Sequence, residues 1–458
     1  MSRPETEPEP DPDRSSRSLG TSAWLVFTIA SAGWVFDVYE GQLFAVFKGP
    51  MLRELLGGAP GAELTDALRG RIDWHSNVAL ALFLIGGAAG GLGFGMLADR
   101  VGRVRTMGLT ILVYSVFSAL TYFVTEVWQL HTLRFLVAIG VGGEWAVAAS
   151  LVAESVPTRW RAWAGGAFHA SSVIGLVLAS ATGWIFSEPD QWRWAFLIGL
   201  LPALLVLWIR LSLREPERWR RATQDSGAVP TPSGHPVPTA PRRSAGSLGQ
   251  LLGDRRWRPR ALIGMGLAAV GLGTYWGVFA FAPELVKDVL GDSLSDAEKQ
   301  ARASQVYSLI TLTGSAAGLL AFAPLASTIG RRKTFLLYHV GALVLVPLTF
   351  LTASTLLSTV ILLTLMAAFV VGMHAGYAIY FPELFPTHLR ATGSSFCFNV
   401  GRILGAVMLL VRGGLGATIG VRPAVAVVSL VFLVGIALLA IAPETKDTEL
   451  PEDDQTVA

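Results

Sequence analysis

Cysteine is almost absent from this chain of 458 residues, which contains only Cys397. A single cysteine excludes an intrachain disulfide framework and a cysteine-based metal cluster. The sequence also lacks a glycine-rich phosphate loop ending in Gly-Lys-Ser or Gly-Lys-Thr, and it lacks the H-E-x-x-H pattern of zinc enzymes. We therefore expect no metal and no cofactor. Because no nucleophile, base and orienting group can be assembled from its motifs, we do not expect an enzyme.

Charged residues are scarce as well. They make up 15% of the chain, whereas hydrophobic residues make up 52% and the mean hydropathy is +0.52. Soluble domains rarely have this composition, and it is typical of proteins that cross a membrane several times. The formal net charge is only +3. The basic residues lie mainly in loops between apolar runs, which indicates membrane topology rather than nucleic-acid binding.

Apolar runs of about 20 residues, long enough to cross a bilayer, predict an all-α membrane protein of about twelve spans. The predicted helices are residues 22–47, 77–98, 107–125, 130–152, 162–186, 194–213, 261–285, 305–327, 335–353, 356–380, 392–413 and 423–442. Short arginine-rich loops belong on the cytoplasmic side of the membrane. An even number of spans then places both termini in the cytoplasm.

The remaining segments divide the chain. Residues 1–20 are polar and proline-rich, which predicts a disordered cytoplasmic tail rather than a signal peptide. Residues 48–75 predict a small extracytoplasmic cap. The arginine- and proline-rich residues 214–260 predict a cytoplasmic linker between a six-helix bundle at 21–213 and a second at 261–442. Residues 443–458 predict a short cytoplasmic tail.

The two predicted bundles repeat each other. Gly102–Thr106 recurs as Gly330–Thr334, and residues 154–162 recur as 383–391, with offsets of 228 and 229 residues. Two motifs with nearly equal offsets indicate two parallel six-helix repeats. Such repeats place a binding site near the membrane midplane between the halves, and rocking of the halves exposes it to each side in turn.

The loop at 95–105 is the centre of a predicted conformational gate. Gly95 permits close helix packing and Gly102 a sharp reversal of the chain. Asp99 lies among arginines and predicts a charge cluster that forms in one conformation and breaks in another. Since Ser327 replaces Asp99 in the second repeat, we expect the acidic lock mainly in the first. The predicted gate residues are Gly95, Asp99, Arg100, Gly102, Arg103, Glu154, Arg161, Glu383 and Arg390.

The G-x-x-x-D-R-x-G-R pattern of this loop resembles the loop between helices two and three of major facilitator superfamily transporters, although Val104 stands where a basic residue is more common. Residues 134–143 resemble the R-x-x-x-G-x-G-x-G-G pattern of sugar porters, with Ala138 in place of one glycine. The Gly-Gly-Glu-Trp ending at 142–145 is closer to the proton-coupled sialate, lactate and metabolite symporters. Residues 214–219 and 443–446 also resemble sugar-porter motifs. The resemblance implies the major facilitator fold and a monomeric secondary transporter.

Charged residues inside predicted spans are candidates for proton coupling, because a charge at the bilayer centre costs about 2.5–3.5 kcal/mol on insertion scales. Asp37 and Glu40 share one face of helix one, and Arg134 lies in helix four. An aspartate in helix one paired with this arginine resembles the proton-coupling pair of proton-linked sugar porters. A static ion pair is the alternative. Glu144 is either a second protonation site or a structural group.

A lone buried arginine, Arg402 in helix eleven, is the main candidate for substrate binding, because a guanidinium binds a carboxylate through two parallel hydrogen bonds. Asn399 shares its face. His169 in helix five titrates near neutral pH and can relay a proton or bind an anion. Tyr275, Trp276 and Tyr377 complete the predicted site. Structural pairing or packing is the alternative for each.

These residues predict a proton-coupled symporter of the cytoplasmic (inner) membrane that carries a small organic solute, with a carboxylate as the first candidate. An uncharged sugar or polyol is the second candidate, and a non-transporting nutrient sensor is the third. The expected partners are the substrate, the proton and the lipid bilayer, without nucleic acid.

Overall fold

The computed structural model describes residues 20–58, 65–188, 190–224, 245–291 and 294–452, and these residues form helices and turns without a β-strand. Eleven helical segments of this part of the chain are long and apolar enough to cross a membrane. A further helix, Arg390–Ile419, has 30 residues and is also long enough to span. The predicted all-α membrane class is therefore confirmed.

The described part of the N-terminal half contains six spans. They comprise α1 (Thr21–Leu55), α2 (Asp66–Val101), α3 (Arg103–Leu120), α4 (Val127–Ser155), α5 (Thr158–Ala170) with α6 (Ser172–Ile185), and α7 (Trp192–Ile198) with α8 (Pro202–Ser212). Two short helices follow, α9 (Glu217–Gln224) and α10 (Leu248–Gly253).

The C-terminal half has the same plan. Its spans are α11 (Trp257–Gly277) with α12 (Ala282–Leu290), α13 (Asp296–Ile310) with α14 (Ala316–Ile329), α15 (Arg331–Thr352), α16 (Leu356–Val370) with α17 (His374–Glu383), α18 (Arg390–Ile419), and α19 (Val421–Val428) with α20 (Val431–Ile441). The end of the molecule that carries the arginine-rich loops is called the cytoplasmic end below.

The polar segment 48–75 is largely helical, because α1 continues to Leu55 and α2 already begins at Asp66. Polar residues extend both helices beyond the apolar run, which hydropathy alone does not detect. The linker 214–260 contains the short helices α9 and α10, and α11 begins at Trp257, close to the predicted boundary. The predicted disorder of residues 1–19 lies outside the described residues.

Equivalent turns join α2 to α3 and α14 to α15. Gly102 has a φ of +119° and Gly330 a φ of +95°, a region that favours glycine. Each turn is followed by a helix whose first backbone N–H groups bind a glutamate from the end of the same half. Glu215 accepts from Val104 at 3.1 Å, and Glu444 accepts from Arg331 at 2.9 Å. The sequence repeat therefore corresponds to a repeat in structure.

The two halves pack mainly through α2 against α18 and α5 against α14. Small residues on α2 allow this approach. A Cβ atom at Gly95 would lie 2.7 Å from the Cβ of Ser395, and the Ser395 hydroxyl donates to the Gly91 carbonyl at 2.5 Å. At the centre, the rings of Trp145 and Phe398 stack with centroids 4.1 Å apart.

Candidate transport site and cytoplasmic gate

Asp99, near the cytoplasmic end of α2, caps the start of α18 in the other half. Its carboxylate accepts hydrogen bonds from the backbone N–H groups of Ala391 (3.1 Å) and Thr392 (2.8 Å) and from the Thr392 hydroxyl (2.6 Å). Free N–H groups and the helix dipole both favour a negative charge at a helix N-terminus. Asp99 is buried. The residue predicted to lock the gate thus joins the two halves directly.

A buried charge cluster extends this contact. Arg103 lies 3.1 Å from Asp99 and 2.9 Å from Glu154, and it donates to the Thr387 carbonyl of the other half at 2.6 Å. Glu154 also binds Arg390 of the C-terminal half at 2.7 Å. All four charged side chains have no solvent-exposed surface. Both acids thus contact both halves, and the cluster joins the two halves at the cytoplasmic end.

The equivalent cluster of the C-terminal half is weaker between the halves. Glu383 binds Arg331 of its own half at 2.8 Å, whereas Arg161 of the other half is 3.9 Å away. The Ser327 hydroxyl donates only to the nearby Pro324 carbonyl. Ser327 therefore lacks the carboxylate that Asp99 has at the equivalent position, and with it the contact to the other half.

Arg100 has a different role from its neighbours. Its guanidinium donates to the carbonyls of Ala245 (3.0 Å) and Gly246 (3.1 Å), at the end of the linker. The Gly246 N–H in turn donates to the His388 carbonyl in the C-terminal half. Arg100 thus fastens the linker across the cytoplasmic face instead of joining the acidic cluster.

The C-terminal tail contacts the predicted gate residue Glu383 and the N-terminal half, which sequence reasoning missed. Its Thr445 hydroxyl donates to Glu383 at 2.6 Å, and its Glu449 accepts from Thr158 of the N-terminal half at 2.7 Å and from Arg218 of the linker helix α9 at 3.0 Å. The hydrogen bond from Thr158, together with those from Arg218, lowers the pKa of the Glu449 carboxyl. The P-E-T-K motif signals where this tail begins, but nothing in the sequence signals its cross-half contacts.

Asp99→Asn is expected to open the gate. The substitution removes the charge that binds the α18 terminus and Arg103, so the resting population should shift towards the inward-facing state. A reporter Ser395→Cys in a Cys397→Ser background, buried between α2 and α18, should then label faster with a maleimide supplied from the cytoplasmic side.

Ser327→Ala is the matched control for this experiment, since its hydroxyl bonds only within its own helix. It should leave the labelling rate nearly unchanged. Equal acceleration by both substitutions would show that the loops act through turn geometry rather than charge.

Asp37 and Arg402 lie at the centre of the molecule, on opposite sides of the boundary between the halves. The Asp37 carboxylate on α1 interacts electrostatically with Arg402 on α18 and with Glu144 on α4. Asp37 is 3% exposed, and its Oδ1 has no hydrogen-bond partner in the described part of the chain. Arg402 reaches towards Gly87 of α2, where a Cβ atom would lie 2.8 Å from its Nη1. The basic partner of Asp37 therefore comes from the other half.

The predicted pairing of Asp37 with Arg134 is wrong in this structure. Arg134 interacts instead with Glu40, and its guanidinium lies 4.7 Å and 4.5 Å from the ring centroids of Phe44 and Phe83. Glu40 lies three residues after Asp37 on α1, so the two side chains lie on nearly the same face of the helix but differ by about 4.5 Å in height along its axis. This difference in height places Glu40, rather than Asp37, beside Arg134. The Ser118 hydroxyl donates to Glu40 as well.

Glu144 faces the interior of the N-terminal half. It accepts a hydrogen bond from the Thr110 hydroxyl at 2.5 Å, and a Cβ atom at Gly33 would lie 2.5 Å from its Oε1. Tyr114, which sequence reasoning missed, interacts electrostatically with Glu144, Asp37 and Glu40, and its buried hydroxyl has no hydrogen-bond partner in the described residues. The three acids and Tyr114 thus form one buried group. Because Tyr114 lies in an apolar run, its sequence context did not indicate that it belongs to this buried group.

His169 is held by aromatic side chains. Its Nδ1 accepts from the Trp145 indole N–H at 3.0 Å, and its backbone carbonyl accepts from the Trp34 indole at 3.1 Å. The structural partner of the His169 ring is therefore the Trp145 indole. Since Nδ1 accepts, Nε2 carries the proton of the neutral ring.

The other predicted substrate residues have different surroundings. The Asn399 amide donates to Ser395, and its buried Oδ1 has no partner in the described part of the chain. Tyr377 instead donates its hydroxyl to the Leu267 carbonyl at 2.8 Å, which favours the packing alternative. Tyr275 and Trp276 pack edge to face with centroids 5.2 Å apart.

Twelve helices of spanning length in the described residues, with a buried charged centre and a buried ion-pair cluster between the halves, are the architecture of a multi-pass membrane transporter. The chain belongs to the Major Facilitator Superfamily, whose family model matches residues 23–406. The family predicted from the sequence motifs is confirmed, and the members of this family that the chain resembles are transporters rather than enzymes.

Two relatives and one solved structure illustrate the similarity. The chain is 32% identical over 427 residues to a probable 4-methylmuconolactone transporter of Cupriavidus pinatubonensis, covering 92% of this chain and 90% of the relative. It is 28% identical over 342 residues to a cis,cis-muconate transport protein of Acinetobacter baylyi, covering 74% and 78%. Its fold matches the proton:xylose symporter XylE with a TM-score of 0.72 at 16% identity, covering 94% and 98%.

Proposed function

We propose that this protein is a proton-coupled symporter that carries a small organic carboxylate by alternating access. The observation that carries the proposal is the placement of Arg402 near Asp37 across the boundary between the halves. A guanidinium there can bind a substrate carboxylate, and a carboxyl group beside it can take up the proton.

The arrangement supplies a coupling device. While Asp37 is ionised, it competes with a substrate carboxylate for Arg402. When Asp37 takes up a proton, Arg402 becomes available to the substrate, so the proton and the anion bind together. Because Asp37 and Arg402 belong to different halves, their attraction also depends on how the halves are placed, which ties binding to rocking.

The relatives named for 4-methylmuconolactone and cis,cis-muconate support an organic acid as the substrate class. The likeness to XylE supports the fold alone and does not decide the substrate. An uncharged sugar or polyol is therefore the alternative. The basic loops at the closed end support an inner-membrane orientation with cytoplasmic termini. We also propose that the protein functions as a monomer.

The test is uptake by proteoliposomes of labelled organic acids and labelled sugars, with and without an imposed proton gradient. Gradient-dependent accumulation of an acid is the expected result. Accumulation of a sugar alone would establish the alternative, and binding without uptake of either class would indicate a sensor.

Arg402→Lys is expected to weaken binding of the accumulated acid about tenfold or more, equivalent to about 1.4 kcal/mol, because lysine keeps the charge but loses the planar two-point contact. The measurement is the concentration dependence of counterflow. Arg422→Lys, at an exposed ion pair with Asp288, is the matched control and should leave the affinity unchanged. Unchanged affinity in Arg402→Lys would remove the main support for a carboxylate.

A further inference from the structure

A groove of about 950 Å³ lies on the outer surface of the N-terminal half, between the cytoplasmic ends of α3 and α8. Its floor is apolar and includes Leu109, Leu112 and Val206. Leu109 and Leu112 are 42% and 43% exposed, so this floor faces the bilayer rather than the protein core. The groove is separate from the charged centre of the molecule.

The cytoplasmic rim of the groove is basic. Arg105, Arg214 and Arg220 line it, and all three are exposed. None of their guanidinium groups makes an ion pair or hydrogen bond that the structure shows in the described residues. The acid beside them, Glu215, already accepts hydrogen bonds from the N–H groups of Val104 and Arg105, both at 3.1 Å. The rim is therefore net positive.

We infer that this groove binds an anionic phospholipid of the cytoplasmic leaflet. The phosphate group would lie against the three arginines, and an acyl chain would lie along Leu109, Leu112 and Val206. Arginine binds phosphate through charge-assisted hydrogen bonds, and basic pockets at the cytoplasmic ends of spans suit anionic head groups. A soluble phosphate would satisfy the arginines but would leave the apolar floor uncovered, so the floor favours a lipid.

Trp219 marks the depth of this site. It lines the groove, and its indole N–H donates to the Asp99 carbonyl at 3.0 Å. Tryptophan is enriched at the boundary between head groups and acyl chains. This places the arginines at the level of the phosphates and the leucines at the level of the acyl chains.

The test is native mass spectrometry of the full chain in detergent, titrated with phosphatidylglycerol or with phosphatidylcholine carrying the same acyl chains. We expect phosphatidylglycerol to bind at least tenfold more tightly. Arg105→Gln/Arg214→Gln/Arg220→Gln should abolish this preference. Each single substitution, at an exposed position, should lower it in part and keeps the test valid if the triple variant folds poorly.

The matched control is Arg255→Gln/Arg256→Gln/Arg258→Gln, which removes the same charge from exposed cytoplasmic positions outside the groove. It should keep the preference for phosphatidylglycerol. Equal loss in both triple variants would mean that only overall surface charge matters. Equal binding of the two lipids would overturn the site, and competition by free glycerol phosphate as strong as by the lipid would show a soluble-anion site instead.

Discussion

Asp37→Asn is expected to abolish accumulation of substrate against a gradient and to leave exchange across the membrane largely intact. Asparagine mimics the protonated carboxyl, so Arg402 stays available to the substrate while no proton can be carried. Binding and rocking then continue, but the proton gradient no longer drives them. Coupling and transport are thereby separated in one variant.

The measurement compares uptake driven by a pH gradient with counterflow in the same proteoliposomes. Asp288→Asn, which removes an acid from the exposed pair with Arg422, controls for loss of charge and should keep both activities. Continued gradient-driven accumulation by Asp37→Asn would show that another group couples the proton. Glu144 and Glu40 would then be tested next, since both interact with Asp37.

Glu154→Gln is expected to populate the inward-facing state strongly. Glu154 is the shared partner of Arg103 and Arg390, and all three side chains are fully buried. Removing one partner of a buried pair costs about 3–5 kcal/mol. Since each 1.4 kcal/mol is a tenfold change in an equilibrium constant, the open population should rise by more than tenfold even if the amide keeps part of the hydrogen bonding.

The Ser395→Cys reporter measures this opening. Glu383→Gln is the matched control, because Glu383 lies at the equivalent position but binds mainly Arg331 of its own half. It should accelerate labelling much less than Glu154→Gln. The opposite order would contradict the assignment of the cross-half lock to the N-terminal repeat.

The structure brings the predicted gate residues Asp99, Arg103, Glu154 and Arg390 together, whereas it separates the predicted coupling pair. The gate residues recur in two motifs at nearly equal offsets, and loop motifs fix the geometry of a turn locally. The pairing of Asp37 depended on how α1 and α4 are rotated and on which α18 residue approaches from the other half. Such contacts join residues far apart in the chain, so the pattern around Asp37 could not specify them.

Hydropathy, charge placement and the internal repeat by themselves determined that this chain is a membrane protein of two helical repeats with arginine-rich loops at one end. Those features follow from the cost of exposing polar backbone and charge to lipid, which acts on each segment separately. Only the tertiary structure decided that Arg134 interacts electrostatically with Glu40, that Asp37 interacts with Arg402, and that the tail contacts the N-terminal half through Glu449. The physical reason is that a buried charge takes the nearest available partner, and helix packing rather than sequence spacing sets which partner is near.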